Sequence, residues 1–310
     1  MGTLLRYPYI AALRPRQWTK NLVVFAAPLF AFDIRLETFL GACLALVLFC
    51  SVSSCFYLIN DVLDVEADRK HPVKSKRPIA SGLVPVKVAI AMAITLLVGA
   101  VTLGTLRTPL LGLVLIGYAL LQVAYNLRLK RTVILDIVAI AMGFVLRALA
   151  GAVATGIVLS PWFLLCTAML ALFLGVEKRK AELRISETKG GKTRAVLQRY
   201  SPALLNRMEN SVTSGAIITY SIWSAGPKVG GATTPWMMMT IPFVLYGIFR
   251  YQLLSDPHEI ARKSGGTEEG GQTERPEEVL LRDLPILLTV VCWTLTAFVI
   301  LLLKQKGLIE

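Results

Sequence analysis

Long runs without a charged side chain are the feature that most limits what this sequence can fold into. Six such runs, each of 18 residues or more, span residues 38–60, 88–106, 108–127, 210–227, 229–249 and 284–303. A helix needs about 20 mostly apolar residues to cross the hydrocarbon core of a bilayer. Charged residues make up only 17% of the chain, against roughly 25% in a soluble domain. The sequence therefore predicts a polytopic membrane protein.

Three further spans complete the predicted bundle. The uncharged residues 148–176 are too many for one helix and include Ser160-Pro161, which predicts a turn. One helix is then expected from about 132 to 154 and the next from 161, while a shorter first span covers residues 21–32. We therefore expect an all-α protein of nine transmembrane helices that forms a single integral membrane domain over residues 1–310.

The distribution of positive charge predicts the orientation of the chain. Lys and Arg number 33 against 20 Asp and Glu. Most of these cations fall in an N-terminal segment, residues 1–20, and in the loops 61–87, 177–209 and 255–283. An excess of Lys and Arg marks cytoplasmic loops, so we expect an interfacial N-terminal segment and cytoplasmic loops in an inner (plasma) membrane. This topology explains the net charge of +13 without nucleic acid as a partner.

An acidic cluster at the cytoplasmic end of the second span is the first sign of chemistry. In the segment Asn60-Asp-Val-Leu-Asp-Val-Glu-Ala-Asp68, a continuous helix would bring Asp61, Asp64 and Asp68 within a sector of roughly 60°. Three carboxylates on one face repel one another unless a cation lies among them, and Mg²⁺ prefers carboxylate and phosphate oxygens as ligands. The alternative is a solvated acidic turn, neutralised by the basic residues that follow it: Arg69, Lys70, Lys74, Lys76 and Arg77.

The pattern N-D-x-x-D-x-x-x-D at a cytoplasmic helix end, together with the nine-helix layout, resembles the UbiA superfamily of intramembrane prenyltransferases. Further segments resemble one branch of it, the decaprenyl-phosphate phosphoribosyltransferases, at residues 14–21, 60–82, 147–155, 161–165, 178–183 and 276–283. The resemblance covers nearly the whole chain. It implies a UbiA-like helix bundle with an active-site cavity on the cytoplasmic side.

The resemblance also implies a reaction and a set of residues. The reaction is Mg²⁺-dependent transfer of 5-phosphoribose from phosphoribosyl diphosphate to a polyprenyl (decaprenyl-like) phosphate, a step towards arabinan precursors of the cell envelope. Asp61, Asp64 and Asp68 are the expected catalytic and metal-binding residues. The expected substrate-binding residues are Lys20, Asn60, Lys74, Arg77, Tyr125, Lys130, Asp136, Glu177, Lys178, Arg179 and Lys180. Membrane lipid is an expected partner, and a homo-oligomer is compatible with the sequence.

The end of the sixth span favours this branch over its relatives. Members of the superfamily that join a prenyl diphosphate to an aromatic ring are known for a second Asp-rich motif at this place. Here the segment Glu177-Lys-Arg-Lys-Ala-Glu-Leu-Arg184 has four basic and two acidic residues. Such a segment suits the 5-phosphate of phosphoribosyl diphosphate, which Lys or Arg can bind. The alternative is pairing of these charges along the helix surface.

Two other functions stay open from the sequence. One is UbiA-type transfer of a polyprenyl group from its diphosphate to an aromatic acceptor, and the other is a cation or phosphate transporter. A transporter more naturally has charges or broken helices near the middle of the membrane, whereas most charges here cluster at one face. Two charges lie within the fifth span: Asp136, expected to join the cytoplasmic pocket, and Arg147, expected to anchor helix packing.

Overall fold

The computed structural model describes residues 7–189, 196–263, 279 and 283–310. Within those ranges the chain is helical and has no β-strand, which confirms the predicted all-α class. Parts of the predicted N-terminal segment and cytoplasmic loops lie outside the described residues: 1–6, 190–195, 264–278 and 280–282. Most of the segment 276–283, which contributed to the resemblance, lies outside them as well.

The chain divides into two compact units. The first consists of Met1–Leu29, Asp33–Val123 and Leu146–Val158, and the second of Phe30–Phe32, Ala124–Val145 and Leu159–Glu310. Each unit is described by itself below. The single domain over residues 1–310 stays a prediction.

The α-helices are numbered in chain order. They are α1 (Pro8–Ala12), α2 (Ala26–Ala31), α3 (Leu36–Leu63), α4 (Val65–Arg69), α5 (Val86–Arg107), α6 (Pro109–Leu127), α7 (Leu135–Thr155), α8 (Pro161–Lys189), α9 (Pro202–Ser224), α10 (Ile241–Ser255), α11 (Pro257–Lys263) and α12 (Leu284–Gln305). The longest 3₁₀ helix, Pro15–Phe25, directly precedes α2. The predicted turn at Ser160-Pro161 is confirmed, because α7 ends at Thr155 and α8 begins at Pro161.

Seven helical segments of the described chain are long and apolar enough to cross a membrane. They are α3, α5, α6, α7, Pro161–Glu187 of α8, Pro235–Ser255 with α10, and α12. Large apolar side chains cover their outer surfaces, and Leu106 and Leu113, for example, are 77% and 63% exposed. Extended apolar surfaces of this kind require a lipid environment. The chain is therefore an integral membrane protein.

The two other predicted spans differ from these seven. Residues 21–32 form the end of the 3₁₀ helix and the six-residue α2, in which Pro28 cannot donate a helical hydrogen bond. The span predicted at 210–227 is part of α9, which begins earlier and includes Arg207 and Glu209. The number of nine membrane-crossing helices therefore stays a prediction.

In the first unit, α3 supplies most of the core and packs against α5 and the Pro15–Phe25 helix. Phe49 and Val52 of α3 are fully buried. The Pro15–Phe25 helix approaches α7 very closely at Gly151, where a Cβ atom would lie 1.9 Å from the carbonyl oxygen of Val24. Only glycine leaves room for this contact.

Arg147 contributes to packing in the same unit. Its Nε donates a hydrogen bond to Asn21 Oδ1 at 2.7 Å, and its Nη2 donates to the Tyr118 hydroxyl at 2.9 Å. The guanidinium lies over the ring of Phe49, 5.7 Å from its centroid. The structure thus places this buried cation among helix-packing contacts.

In the second unit, α8 packs against α9, and α10 packs against α12. Phe173 of α8 and Tyr251 of α10 are buried together, with their ring centroids 5.6 Å apart. A second aromatic cluster joins Phe30, Phe163 and Trp223. These contacts hold α8, which carries the cationic segment 177–184, against α9 and α10.

Candidate active site

The acidic motif lies in the first unit, where α3 ends and α4 begins. Asp64 interrupts the helix, with φ −94° and ψ 5°. Asp61 and Asp68, on either side of the break, are only 3% and 2% exposed, whereas Asp64 is exposed. The sequence pattern assumed one continuous helix. The break at Asp64 leaves that residue at the surface, whereas Asp61 and Asp68, about two helical turns apart, still come together.

Arg77 bridges the two buried carboxylates. Its Nη1 lies 3.0 Å from Asp61 Oδ1 and 2.6 Å from Asp68 Oδ2. Arg14 also donates to Asp61 Oδ1, at 2.5 Å. Both arginines are about 30% exposed, so they connect buried acids to the surface. Arg77 therefore neutralises the buried carboxylates. It is one of the basic residues to which the alternative interpretation, a solvated acidic turn, assigned this role.

Arg14 is a site residue that the sequence-based selection missed. Its backbone lies in the left-handed region, at φ 55° and ψ 60°, and it precedes a proline, which further restricts it. Such a conformation costs a non-glycine residue about 1–3 kcal/mol, and it persists where surrounding contacts enforce it, often at functional sites. Here the contacts are Asp61 and the ring of Tyr57, whose centroid is 5.0 Å from the guanidinium carbon. The sequence signal was Arg14-Pro15-Arg16, within a segment that resembled the family.

A cavity of about 220 Å³ opens beside Arg14. Its lining is Ala11, Arg14, Pro15, Arg16 and Gln17. Lys20 adjoins it, because its Nζ donates to Gln17 Oε1 at 2.7 Å. The cavity thus combines an apolar wall with cationic groups that suit an anion.

The other two predicted residues of the first unit lie at the edges of the motif. Asn60, on the last turn of α3, is partly buried, and its carbonyl accepts the N–H of Asp64 at 3.0 Å. Lys74 is exposed and begins the 3₁₀ turn Lys74–Lys76 that leads to Arg77. Their substrate-binding roles stay predictions.

The donor set of the acidic motif fits Mg²⁺ if the substrate supplies the remaining ligands. Asp61 and Asp68 direct carboxylate oxygens at one position, now held by a guanidinium nitrogen. Across the described ranges, no group of three or more His, Cys, Asp or Glu side chains is placed to hold a metal on its own. Mg²⁺ is usually bound by one or two carboxylates together with phosphate oxygens and water. Two converging carboxylates meet that requirement.

A buried ion pair organises the second unit. Asp136 and Arg179 are both fully buried, and Arg179 Nε lies 2.6 Å from Asp136 Oδ2. Arg179 also pairs with Glu182. The Tyr200 hydroxyl donates to Asp136 Oδ1 at 2.7 Å and accepts the N–H of Ile134 at 2.7 Å. Burial, and next the hydrogen bond to Asp136, raise the pKa of Tyr200, which keeps its hydroxyl protonated at neutral pH.

Lys180 has acidic partners of its own in this unit. Its Nζ pairs with Glu209 of α9 and lies 3.4 Å from Oε1 of the fully buried Glu177. Gln252 donates to the other oxygen of Glu209 at 2.8 Å. Charge pairing, the alternative for this segment, therefore occurs both along α8 and across to α9. Sequence reasoning missed Glu209 because its partner lies 29 residues away.

The remaining predicted residues of the second unit are only partly buried. Tyr125 lies on the last turn of α6, Lys130 in the 3₁₀ turn Leu129–Arg131, and Lys178 on α8 beside the ion pair. Asp136, Arg179 and Lys180 are held by the ion pairs described above. Direct contact with substrate stays a prediction for all of these residues.

Comparison with known proteins places these residues in a family context. Residues 22–264 match the UbiA prenyltransferase family. The chain is 38% identical to a protein of Corynebacterium glutamicum named decaprenyl-phosphate phosphoribosyltransferase, over 92% of this chain and 83% of the relative. It is 36% identical to the protein of the same name from Mycobacterium tuberculosis, over 93% and 92% of the two chains.

Solved structures share the fold at low sequence identity. A UbiA homologue from Archaeoglobus fulgidus, solved with GPP and Mg²⁺, gives a TM-score of 0.64 at 19% identity, over 94% of this chain and 98% of that one. The structure of a digeranylgeranylglyceryl phosphate synthase gives 0.66 at 18% identity, over 94% and 97%. At these identities the likeness shows the fold alone.

Proposed function

The chain belongs to the UbiA prenyltransferase family, and on that premise we propose that it transfers 5-phosphoribose from phosphoribosyl diphosphate to a polyprenyl phosphate, with release of diphosphate. The observation that carries the proposal is 36–38% identity, over more than nine-tenths of this chain, to enzymes named for this activity. The chain is an enzyme of the transferase class. The donor, the acceptor and the metal dependence are the proposal.

The acidic motif supports the donor half of the reaction. A Mg²⁺ ion held by Asp61 and Asp68, with Asp64 beside them, would neutralise the charge that develops on the departing diphosphate. Arg14 and Arg77 lie within reach of the same position and carry guanidinium groups, which suit bidentate contacts to phosphate oxygens. Arg16 and Lys20 extend this cationic surface along the 220 Å³ cavity.

The acceptor half requires little acid–base catalysis. A phosphate oxygen of the polyprenyl phosphate forms the new bond to C1 of the ribose. The bond from C1 to the diphosphate oxygen breaks, and its electron pair leaves with the diphosphate. Because the nucleophile is already an anion at neutral pH, no strong general base is needed. Carboxylates near C1 would favour the positive character that develops there.

The membrane location follows from the two substrates. The donor is water-soluble and cytoplasmic in this proposal, while the acceptor cannot leave the bilayer. The excess of Lys and Arg in the loops that flank the acidic motif supports a cytoplasmic face for it in the inner (plasma) membrane.

Transfer of a polyprenyl group from its diphosphate to an aromatic acceptor is the second candidate. The fold supports it, since the structural neighbour from A. fulgidus was solved with GPP. The segment 177–184, with four basic residues where an Asp-rich motif would serve a second metal, favours the phosphoribosyl donor instead.

Transfer of a label tests the proposal. Purified protein in detergent is incubated with Mg²⁺, polyprenyl phosphate and phosphoribosyl diphosphate labelled in the ribose. We expect label to enter the organic phase, and EDTA to prevent this transfer. Label that stays entirely in the aqueous phase, with folded protein and Mg²⁺ present, would overturn the proposal.

A further inference from the structure

A groove on the second unit is distinct from the residues assigned above. It has a volume of about 330 Å³ and lies between the start of α7, the middle of α8 and the first turns of α9. Most of its lining is apolar, including Ile137, Leu172 and Val212. Arg207 and Ser211 of α9 are its polar lining residues.

Arg207 gives the groove a positive charge at one end. Its side chain is exposed, and among the described residues the hydrogen bond recorded for Arg207 is the one that its carbonyl accepts from Ser211. The Ser211 hydroxyl donates a hydrogen bond to the Arg207 carbonyl oxygen at 3.0 Å. Beyond Arg207, the surface of the groove is therefore mostly apolar. From Arg207 to Val212 the groove follows α9 for about 7.5 Å. It therefore combines a cation at one end with an apolar channel.

The wall of the groove is rigidly held. Ile134, which lines it, has a left-handed φ of 72°, and its N–H is held by the Tyr200 hydroxyl. That hydroxyl is fixed in turn by Asp136 and its buried ion pair. Strained non-glycine residues persist where surrounding contacts enforce them. The buried network thus keeps the groove in shape.

Close helix packing forms its floor. A Cβ at Gly175 would lie 2.9 Å from Ile137 Cγ2, so α7 and α8 meet directly there. Ile137 and Val176 are fully buried among Leu197 and Leu205. The floor of the groove is therefore apolar and closely packed, as is usual for small-ligand sites.

We infer that this groove binds the polyprenyl phosphate, with its phosphate against Arg207 and its first isoprene units in the apolar channel. One cation matches one phosphate monoester, and one channel matches one hydrocarbon chain. A bilayer phospholipid would have to place two chains. The inference rests on the proposed function for the identity of the lipid, but binding can be measured without turnover.

Photo-crosslinking tests the site directly. The full-length protein in detergent is irradiated with a polyprenyl phosphate that carries a diazirine on its first isoprene unit, and the labelled peptides are mapped. We expect labelling on α9 near Met208 and on α8 near Leu172. We expect competition by unlabelled polyprenyl phosphate but not by phosphatidylglycerol. Labelling outside the groove, or equal competition by phosphatidylglycerol, would overturn the inference.

Two variants and a matched control complete the test. Arg207→Gln removes the cation that would pair with the phosphate and is expected to weaken binding of polyprenyl phosphate about tenfold, which corresponds to about 1.4 kcal/mol. Ser211→Phe fills the channel while it keeps Arg207, and is expected to abolish groove labelling. Arg199→Gln, at another exposed arginine of this unit, is the control and should bind as wild type. Unchanged labelling in both groove variants would contradict the proposal.

The kinetic readout separates this inference from the proposed function. In the label-transfer assay, Arg207→Gln should raise the KM for polyprenyl phosphate about tenfold and leave the KM for phosphoribosyl diphosphate unchanged. If wild-type protein binds the lipid in the groove but transfers no label, the proposed function fails and the binding site stands. If label is transferred but Arg207→Gln leaves the lipid KM unchanged, the binding site fails alone.

Discussion

Asp61 and Asp68 are two buried carboxylates that share one guanidinium nitrogen. Replacing either with asparagine removes a negative charge from the proposed metal position. We predict that Asp61→Asn and Asp68→Asn each lower kcat by about 10²–10³-fold, the usual effect of losing one electrostatic contact to a transition state. Label transfer at saturating substrates measures the loss.

The matched control for these variants is Glu66→Gln. Glu66 is exposed and lies in the same motif, and within the described ranges it pairs only with Arg69, at 3.2 Å. We expect it to keep wild-type turnover. If Asp61→Asn and Glu66→Gln lose activity equally, the loss comes from the lower net negative charge of the whole motif rather than from the buried pair Asp61 and Asp68.

Asp64 tests whether the acidic site has two or three members. The sequence pattern assigns it to the site, while the structure places it exposed at a break in the helix. We predict that Asp64→Asn abolishes Mg²⁺-dependent turnover while the protein stays folded in detergent, because the carboxylate of Asp64 would add to the negative charge with which Asp61 and Asp68 would hold Mg²⁺. Turnover at saturating Mg²⁺ is the measurement, and retained activity would remove Asp64 from the site.

The Asp136–Arg179 pair affects stability. Asp136→Asn leaves the fully buried Arg179 with Glu182 as its remaining acidic partner among the described residues. Breaking a buried pair from one side costs about 3–5 kcal/mol, so we predict a clear fall in Tm in detergent. Glu187→Gln, at an exposed acid of α8, is the control. An unchanged Tm for Asp136→Asn would show that the pair contributes nothing to stability.

Residue-scale features divide into those that a sequence reveals and those it does not. The spacing of Asp61 and Asp68, seven residues or about two helical turns, predicted that their carboxylates share one face. In the structure both contact the same atom, Arg77 Nη1. The contact between Tyr200 and Asp136 joins residues 64 positions apart, and no local pattern encodes it. The sequence did not identify Arg14 as a site residue, because the left-handed backbone that turns it towards Asp61 is enforced by tertiary contacts.

At the scale of elements, close packing against α7 depends on one glycine. Gly151→Ala would place a methyl group 1.9 Å from the Val24 carbonyl oxygen, and overpacking of this kind costs about 1–3 kcal/mol. We predict a lower Tm for Gly151→Ala. Gly117→Ala, on α6, where no atom of the residues that the structure describes lies within 4 Å of the added Cβ, should be neutral or slightly stabilising. Equal Tm values for the two variants would contradict the close approach.

The helices themselves show why some elements were predicted and others were not. Uncharged runs located α3, α5, α6 and α12 within a few residues, because continuous hydrophobicity is a strong local signal. The first predicted span failed to appear as one α-helix, since Pro15 and Pro28 favour the short 3₁₀ and α segments seen there. α9 extends beyond its uncharged run because Ser201 caps it at the N-terminus, accepting the N–H of Leu204.

At the scale of the whole molecule, the proposed reaction explains the composition. An enzyme with a water-soluble donor needs so much apolar surface only if its acceptor stays in the bilayer. The proposal assigns each unit a different element of that chemistry: buried carboxylates with arginines to the first, and an apolar groove with one arginine to the second. Hydropathy predicted the membrane class, but no sequence pattern indicated the groove, because its lining residues come together only when three successive helices pack against one another.

The choice of donor is the central claim, and a direct competition tests it. The same detergent-purified protein is given either phosphoribosyl diphosphate with polyprenyl phosphate, or polyprenyl diphosphate with an aromatic acid, and diphosphate release is measured in both. We predict release only with the first pair, in a one-to-one ratio with lipid-linked phosphoribose, and its loss in Asp61→Asn. Release with the second pair, and none with the first, would contradict the account.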